Sequence, residues 1–214
     1  MTKLSVNINK IATIRNARGG NNPNVVKVAQ DCEKFGAEGI TIHPRPDQRH
    51  ITTQDVYELK KIVTTEYNIE GNPDERFINL VTSVKPEQVT LVPDAVDAIT
   101  SNSGWDTITH QQHLTDLVSH FKSHGIRTSI FLDANITLLE SARSTGTDRI
   151  ELYTEPYAIE YAKNPEKAIK EFKEVAEEAK KIGLEVNAGH DLDSKNLKFF
   201  KESIPFLLQL IRVS

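Results

Sequence analysis

Residues 128–153, TSIFLDANITLLESARSTGTDRIELY, contain one complete strand–helix–strand unit. An apolar run ends at Asp133, and a second apolar run covers residues 149–153. Between them a helix-like pattern covers residues 136–145 and is terminated by Gly146. Two parallel strands need a crossover of about this length, usually a helix, to join them. The stretch therefore predicts a parallel sheet with helices packed on it.

The same order of strand, loop and helix recurs along the chain. Further strands are predicted at residues 4–9, 39–43, 68–70, 88–92 and 184–188. Further helices are predicted at residues 23–35, 53–65, 74–84, 110–124, 165–182 and 194–202, and an apolar tail follows at 206–213. This number of units in 214 residues favours a closed (β/α)₈ barrel, the TIM barrel, over an open doubly wound sheet. We expect a single domain spanning residues 1–214.

Five acidic or imidazole side chains stand at the ends of predicted strands or directly after them. They are His43, Glu70, Asp133, Glu151 and His190. A parallel barrel gathers its strand ends at one edge, where such folds carry their chemistry. A buried carboxylate is costly unless it is paired or used, and two histidines beside three carboxylates suit repeated proton transfer near neutral pH. The pattern therefore predicts an acid–base site.

A metal site is the alternative for the same edge, since His43, His190 and a carboxylate could form a facial triad. The chain contains neither an H-E-x-x-H nor an H-x-H spacing, so no metal is expected. G-x-G-x-x-G after the first strand and G-x-x-x-x-G-K-[ST] are also absent, which leaves dinucleotide and P-loop functions without support.

Two arginine-bearing segments follow the first two strands. Residues 43–50, HPRPDQRH, place Arg45, Arg49 and His50 in one proline-stiffened loop, which favours binding of an anion such as phosphate. Residues 15–22, RNARGGNN, are predicted to form either a lid that brings Arg18 to a ligand or a simple surface loop.

Composition excludes several classes of protein. The net charge is −4 and the pI about 6.0, so no basic field favours nucleic acid or an anionic membrane. The single Cys32 excludes an internal disulfide. The N-terminus lacks the apolar stretch of a signal peptide, and no run approaches the ~18 apolar residues of a membrane span. We expect a cytoplasmic protein.

Six segments, in order, resemble the pyridoxine 5′-phosphate synthase family. They are VNINKIATIRNARGG, GITIHPRPDQRHI, NIEGNP, VTLVPD, RIELYTEPYA and NAGHDL, and the resemblance covers residues 4–205. It implies a (β/α)₈ barrel that assembles as a homo-octamer and needs no metal or organic cofactor. It also implies condensation of 1-deoxy-D-xylulose 5-phosphate with 3-amino-2-oxopropyl phosphate, which gives pyridoxine 5′-phosphate, phosphate and water.

The resemblance also implies roles for individual residues. The proton acceptors would be His43 and Glu70, the proton donor His190, and a further site carboxylate Glu151. The amino-ketone phosphate would contact Asn7 and Arg18, and the deoxyxylulose phosphate would contact Arg45, His50 and Thr100. Further substrate contacts are expected at Asn9, Lys10 and Asp191.

The chain departs from the family pattern in two places. Many members have Asp-His where this chain has Asn9-Lys10. The family also continues past the tail at residues 205–214 with a Gly-His phosphate loop and a last helix, so we expect the C-terminal strand–helix unit to be incomplete. Weaker binding of the amino-ketone phosphate and lower stability are expected as a result.

Two other functions stay open at this point. One is a different barrel enzyme acting on sugar phosphates, such as a Schiff-base aldolase, for which Lys10 is the candidate lysine. The other is a catalytically impaired barrel that binds phosphorylated ligands.

Overall fold

The computed structural model describes residues 1–94 and 101–213. Eight strands form one closed parallel barrel in sequence order. The strands are β1 (Lys3–Asn7), β2 (Gly39–Ile42), β3 (Glu66–Gly71), β4 (Gln88–Leu91), β5 (Arg127–Leu132), β6 (Arg149–Tyr153), β7 (Glu185–Gly189) and β8 (Gln209–Val213). The predicted (β/α)₈ barrel is therefore confirmed.

The barrel closes through the C-terminal strand. β8 pairs in parallel with β7 on one side and with β1 on the other, where Lys3 lies opposite Gln209 and Asn7 opposite Val213. The expected incompleteness of the last unit therefore does not extend to its strand, because β8 is paired along both edges.

Helices surround the barrel on its outer side. They are α1 (Asn9–Arg18), α2 (Val25–Lys34), α3 (Thr53–Ile62), α4 (Glu75–Val84), α5 (Gln111–Ser123), α6 (Leu139–Ser144), α7 (Glu155–Tyr161), α8 (Pro165–Lys181) and α9 (Leu197–Ser203), with a 3₁₀ turn at Ile136–Leu138 before α6. Side-chain caps start several of them, including the capping box of Thr52 and Asp55 at α3. Within the described ranges, no helix is both long enough and apolar enough to cross a membrane.

Two helices differ from the sequence-based expectation. α1 occupies residues that were predicted as a loop, so Arg15 and Arg18 lie on a helix, and the chain leaves it through Gly19 and Gly20, both with positive φ. α7 follows β6 directly and was not predicted at all. α2 starts later than the predicted residue 23, because Asn24 caps it by accepting a hydrogen bond from the Lys27 N–H.

The apolar core lies between the sheet and the helices rather than inside the barrel. Strand residues such as Ile40, Ile69, Leu132 and Ile150 are fully buried against the helical layer. Most inward positions, two residues apart along each strand, are instead polar and buried, with Phe131 and Tyr153 as apolar exceptions near the carboxyl ends. The polar positions include Ser5, Thr41, Asn68, Thr90, Ser129, Asn187 and Gln209.

The polar interior is arranged in layers along the barrel axis. In the middle layer the Ser5 and Thr41 hydroxyls lie 2.8 Å apart, and Thr90 donates to Asn68 Oδ1 at 3.1 Å. At the amino-terminal end, Arg149 pairs with Glu66 at 3.5 Å and with Glu185 at 2.7 Å. The apolar faces of the strands thus serve packing, and their inner faces carry hydrogen bonds and charge.

Candidate active site

A cavity of about 170 Å³ opens at the carboxyl ends of the strands. Nine of the site residues expected from the sequence line it. They are Asn7, Asn9, Lys10, His43, Arg45, His50, Glu70, Glu151 and His190. Thr13, Ser101 and Ile211 complete the lining. The structure therefore brings together the two histidines and two of the three carboxylates from the strand ends.

Three expected or weighed residues lie elsewhere, and a fourth is not described. Arg18 is exposed at the last position of α1, and Asp191 is exposed just after His190. Thr100 lies outside the described residues. Asp133 accepts a hydrogen bond from the Gly104 N–H at 3.2 Å and does not line the cavity.

His43 is held as a neutral imidazole. Its backbone N–H donates to Asn9 Oδ1 at 2.9 Å, which ties the end of β2 to the start of α1. Burial lowers the pKa of His43 well below its usual value, and the nearby positive charges of Arg45 and Arg76 lower it further. A neutral imidazole at neutral pH can accept a proton.

For Glu70 and Glu151, burial instead favours the protonated form. Burial raises the pKa of Glu151 to about 8. Burial also raises the pKa of Glu70 well above its usual value, and the charges of Glu151 and Asp94 raise it further. The buried Glu151 Oε2 has no hydrogen-bond partner within the described part of the chain. At least one of these carboxyl groups therefore holds a proton near neutral pH.

Gly189, at the end of β7, makes room for Glu151. A Cβ atom at this position would lie 2.6 Å from Glu151 Oε1 and 3.0 Å from Ile211 Cβ, which is closer than real contacts allow. Only glycine leaves the carboxyl group in place here. Gly189, which precedes His190, thus leaves room for a side chain of the neighbouring strand β6.

The next residue, His190, is held between two aromatic rings. Its ring centroid lies 5.0 Å from that of Phe131 and 5.3 Å from that of Tyr153. The Thr154 hydroxyl donates to the His190 carbonyl, and His190 has a φ of 90°, in the left-handed region that non-glycine residues rarely adopt. Burial lowers the pKa of His190. The strained turn and the two rings place this imidazole at the cavity wall.

Arg45 and His50 form an electropositive wall on the opposite segment. Burial, together with the charges of Arg45 and Arg49, lowers the pKa of His50 to about 4. His50 Nδ1 accepts the Ile51 N–H at 2.9 Å, so the proton of the neutral ring lies on Nε2. This wall offers a guanidinium and a neutral N–H donor to an anion.

Residues that sequence reasoning did not single out hold this loop in place. Arg15 forms a bidentate ion pair with Asp55, with Nη2 2.7 Å from Oδ2, and also donates to the His50 carbonyl at 3.3 Å. The Asn16 amide donates to the carbonyls of Arg49 and His50 at 3.1 and 2.8 Å. Part of the RNARGG segment therefore acts as a clamp on the loop at residues 43–50. No local sequence pattern indicates this role.

A metal site would need several His, Cys, Asp or Glu side chains to converge on one point. Over residues 1–94 and 101–213, no three or more His, Cys, Asp or Glu side chains are arranged to hold a metal ion. The facial triad of His43, His190 and a carboxylate therefore has no geometric support among them.

A family model described as pyridoxal phosphate biosynthesis protein PdxJ matches residues 4–211. The chain belongs to this family. Similar members include the pyridoxine 5′-phosphate synthase of Cytophaga hutchinsonii, 67% identical over 207 residues that make up 97% of this chain and 87% of the relative. The pyridoxine 5′-phosphate synthase of Parabacteroides distasonis is 64% identical over the same shares of both chains.

Solved structures agree on the fold of this PdxJ-family chain. A crystal structure of phosphoribosylanthranilate isomerase from Thermotoga maritima matches with a TM-score of 0.62 over 99% of this chain and 87% of the other. The sequence identity is 12%, so this likeness concerns the barrel alone.

We predict that Asp55→Asn destabilises the protein and loosens the loop at residues 43–50. Arg15 and Asp55 are 8% and 4% exposed, and loss of the carboxylate leaves a buried guanidinium without its counter-ion. The expected loss is about 3 kcal/mol in the free energy of unfolding, measured in urea. Hydrogen exchange of the backbone amides at residues 48–51 should accelerate.

The matched control is Asp31→Asn, which breaks the ion pair of Lys27 and Asp31 on the exposed face of α2. It should leave stability nearly unchanged. Equal effects of the two substitutions would contradict a special role for the buried pair.

We further predict that Glu151 makes the protein less stable as the pH rises. Between the ordinary carboxyl pKa of 4.5 and the native value of about 8, the native state holds a proton that the unfolded chain has released. Stability therefore falls over this range. Glu151→Gln cannot titrate, so it should gain roughly 2–4 kcal/mol relative to the unmodified protein between pH 5 and 8.

The measurement is urea unfolding at several pH values. Glu174→Gln, on the exposed face of α8, is the control and should track the unmodified protein. If the curve of Glu151→Gln also runs parallel to that of the unmodified protein, Glu151 is ionised at neutral pH and its assigned state is wrong.

Proposed function

We propose that this chain is a pyridoxine 5′-phosphate synthase, which condenses 1-deoxy-D-xylulose 5-phosphate with 3-amino-2-oxopropyl phosphate. The observation that carries the proposal is the cavity itself, which combines His43 and His190, two carboxyl groups whose pKa values burial raises, and the Arg45 and His50 side chains. Relatives that carry this name are 67% and 64% identical over nearly the whole chain.

The reaction needs several proton transfers rather than one. An amine attacks a ketone, water leaves, phosphate is eliminated and a second carbonyl closes the ring, so groups must both accept and donate protons. His43 is suited to accept protons, because burial keeps its imidazole neutral. His190 is proposed as the proton donor.

Glu70 is proposed as the second proton acceptor, with Glu151 in support. The two are both deeply buried, and the pKa of each is raised by burial. A carboxylate that has lost its proton in this cavity is a much stronger base than one in water. Whichever of the pair is ionised can take a proton from substrate, while the other remains protonated.

The two phosphorylated substrates need separate anion contacts. Arg45, His50 and Thr100 are proposed to bind the deoxyxylulose phosphate, with Asn9 and Lys10, which line the cavity, as further substrate contacts. Asn7 and Arg18 are proposed to contact the amino-ketone phosphate, and Asp191 is proposed as a further substrate contact. Holding both substrates in one cavity supplies the proximity that a reaction between two molecules otherwise lacks.

A Schiff-base aldolase is less well supported. Lys10 lines the cavity, but its side chain is exposed at the start of α1. Reactive lysines of this kind usually depend on desolvation.

We also propose that the chain acts in the cytoplasm and assembles as a homo-octamer, as its family resemblance implies. The observations that support association are exposed apolar side chains, among them Phe35 at 88% and Ile159 at 60% exposed. Sedimentation velocity should give a species of about eight chains. A single-chain species at micromolar concentration would exclude the octamer.

The activity can be tested directly by supplying both substrates and following pyridoxine 5′-phosphate by absorbance and mass. We predict that Glu70→Gln lowers turnover by about 10²–10⁴-fold with the fold intact, because the amide cannot accept a proton. Glu174→Gln is the matched control and should turn over normally. Absence of product from the unmodified protein would refute the proposed function, and full activity of Glu70→Gln would remove Glu70 from the mechanism.

A further inference from the structure

Asp94 is a buried carboxylate that follows β4 and has been given no role. It is 8% exposed. Its Oδ2 atom accepts hydrogen bonds from Arg45 Nη2 at 2.7 Å and from Ser101 Oγ at 2.8 Å. The same oxygen lies 3.9 Å from His43 Nε2. One carboxylate thus contacts both the anion-binding arginine and the proposed base.

Asp94 does not line the main cavity. His43 and Arg45 line both the main cavity and a smaller neighbouring one, and Asp94 lines only the smaller. The carboxylate therefore stands behind the two residues that face the reacting groups, and it acts through them rather than by touching substrate.

The charges around His43 give Asp94 its importance. Arg45, His50, His190 and Arg76 all oppose the protonation of His43. Burial favours the protonated forms of Glu70 and Glu151, so at most one of them carries a negative charge near neutral pH. Among the described residues that contact the His43 ring, the carboxylate within ion-pair distance is Asp94.

We propose that Asp94 is a positioning residue that anchors the Arg45 guanidinium and supplies the counter-charge when His43 accepts a proton. Through Arg45 it fixes where a substrate phosphate can bind. Through His43 it lowers the energy of the imidazolium that proton transfer creates, since opposite charges about 4 Å apart attract strongly in a partly dehydrated site. This inference rests on the proposed function, because it assigns a part in that reaction.

The two roles can be separated by substitution. Asp94→Asn keeps the size and an oxygen that can accept from Arg45 and Ser101, but it removes the charge. It should lower kcat at least about tenfold and change the KM for deoxyxylulose phosphate less than about threefold. Asp94→Ala removes the anchor as well, so both parameters should worsen. Asp133→Asn, at the same rim but outside the cavity, is the matched control.

The pH profile provides a readout that a purely structural residue would not move. The Asp94 charge raises the pKa of Glu70 and of His190, and it favours the protonated form of His43. Its removal should therefore lower the pKa values of Glu70 and His190 and make the protonated form of His43 less favourable. The bell-shaped profile of kcat/KM for Asp94→Asn should shift as a whole to lower pH, and that of Asp133→Asn should not.

Binding of 1-deoxy-D-xylulose 5-phosphate, measured by calorimetry, tests the anchor without turnover. We expect Asp94→Ala to bind at least about fivefold more weakly than the unmodified protein and Asp94→Asn to bind similarly. Equal binding by Asp94→Ala would overturn the anchoring role. Unchanged kcat and pH profile in Asp94→Asn would overturn the counter-charge role.

The failure of this inference is distinct from failure of the proposed function. If the unmodified protein forms no pyridoxine 5′-phosphate, the proposed function and the counter-charge role fall together, and calorimetry still decides the anchor. If the unmodified protein is active and Asp94→Asn matches it in kcat and pH profile, the function stands and the counter-charge role is wrong.

Discussion

The pairing of β8 with both β7 and β1 is the constraint on which the rest of the molecule depends. The cavity is lined by side chains from segments that lie far apart in the sequence, such as those around Asn7, Glu70 and His190. β1 carries Asn7, β7 leads into His190, and β8 pairs with both of these strands. The ladder hydrogen bonds of that strand remove both edges of the sheet and convert a row of strand ends into a ring.

Once the ring is closed, burial decides the chemistry of its members. In water a histidine is partly protonated near pH 6.5 and a glutamate is ionised above about pH 4.3. Inside the cavity these tendencies are reversed, because His43 is neutral and Glu70 and Glu151 favour their protonated forms. Removal of water disfavours charge of either sign, and one physical cause thus produces both a set of bases and a set of acids.

The sequence predicted the barrel and most of the cavity because both follow from local pattern. Short apolar runs that carry His43, Glu70 or Glu151 at or near their ends mark the strands, and a parallel topology brings the strand ends together. The clamp was not predictable in this way. Arg15 finds its partner forty residues away at Asp55, and only the rotation of α1 determines that Arg15 is buried while Arg18 is exposed.

α7 was missed because its seven residues directly follow a strand and are too few to show helical periodicity. Asp94 lies in the segment VTLVPD, and no local pattern gives it a role. Its contacts are with Arg45 and His43, which follow a different strand. Local sequence thus reports which groups reach the rim. It does not report which groups stand behind them.

The two faces of each strand have different roles. The outward positions supply the apolar contacts with the helices, and most inward ones supply hydrogen bonds and the polar lining of the cavity. Closing the barrel therefore gains little hydrophobic free energy from its inside. In a partly assembled sheet, the inner face exposed to solvent would be polar, and a polar face disfavours self-association. Evolution can then vary the inner side chains for chemistry while the outer layer maintains stability.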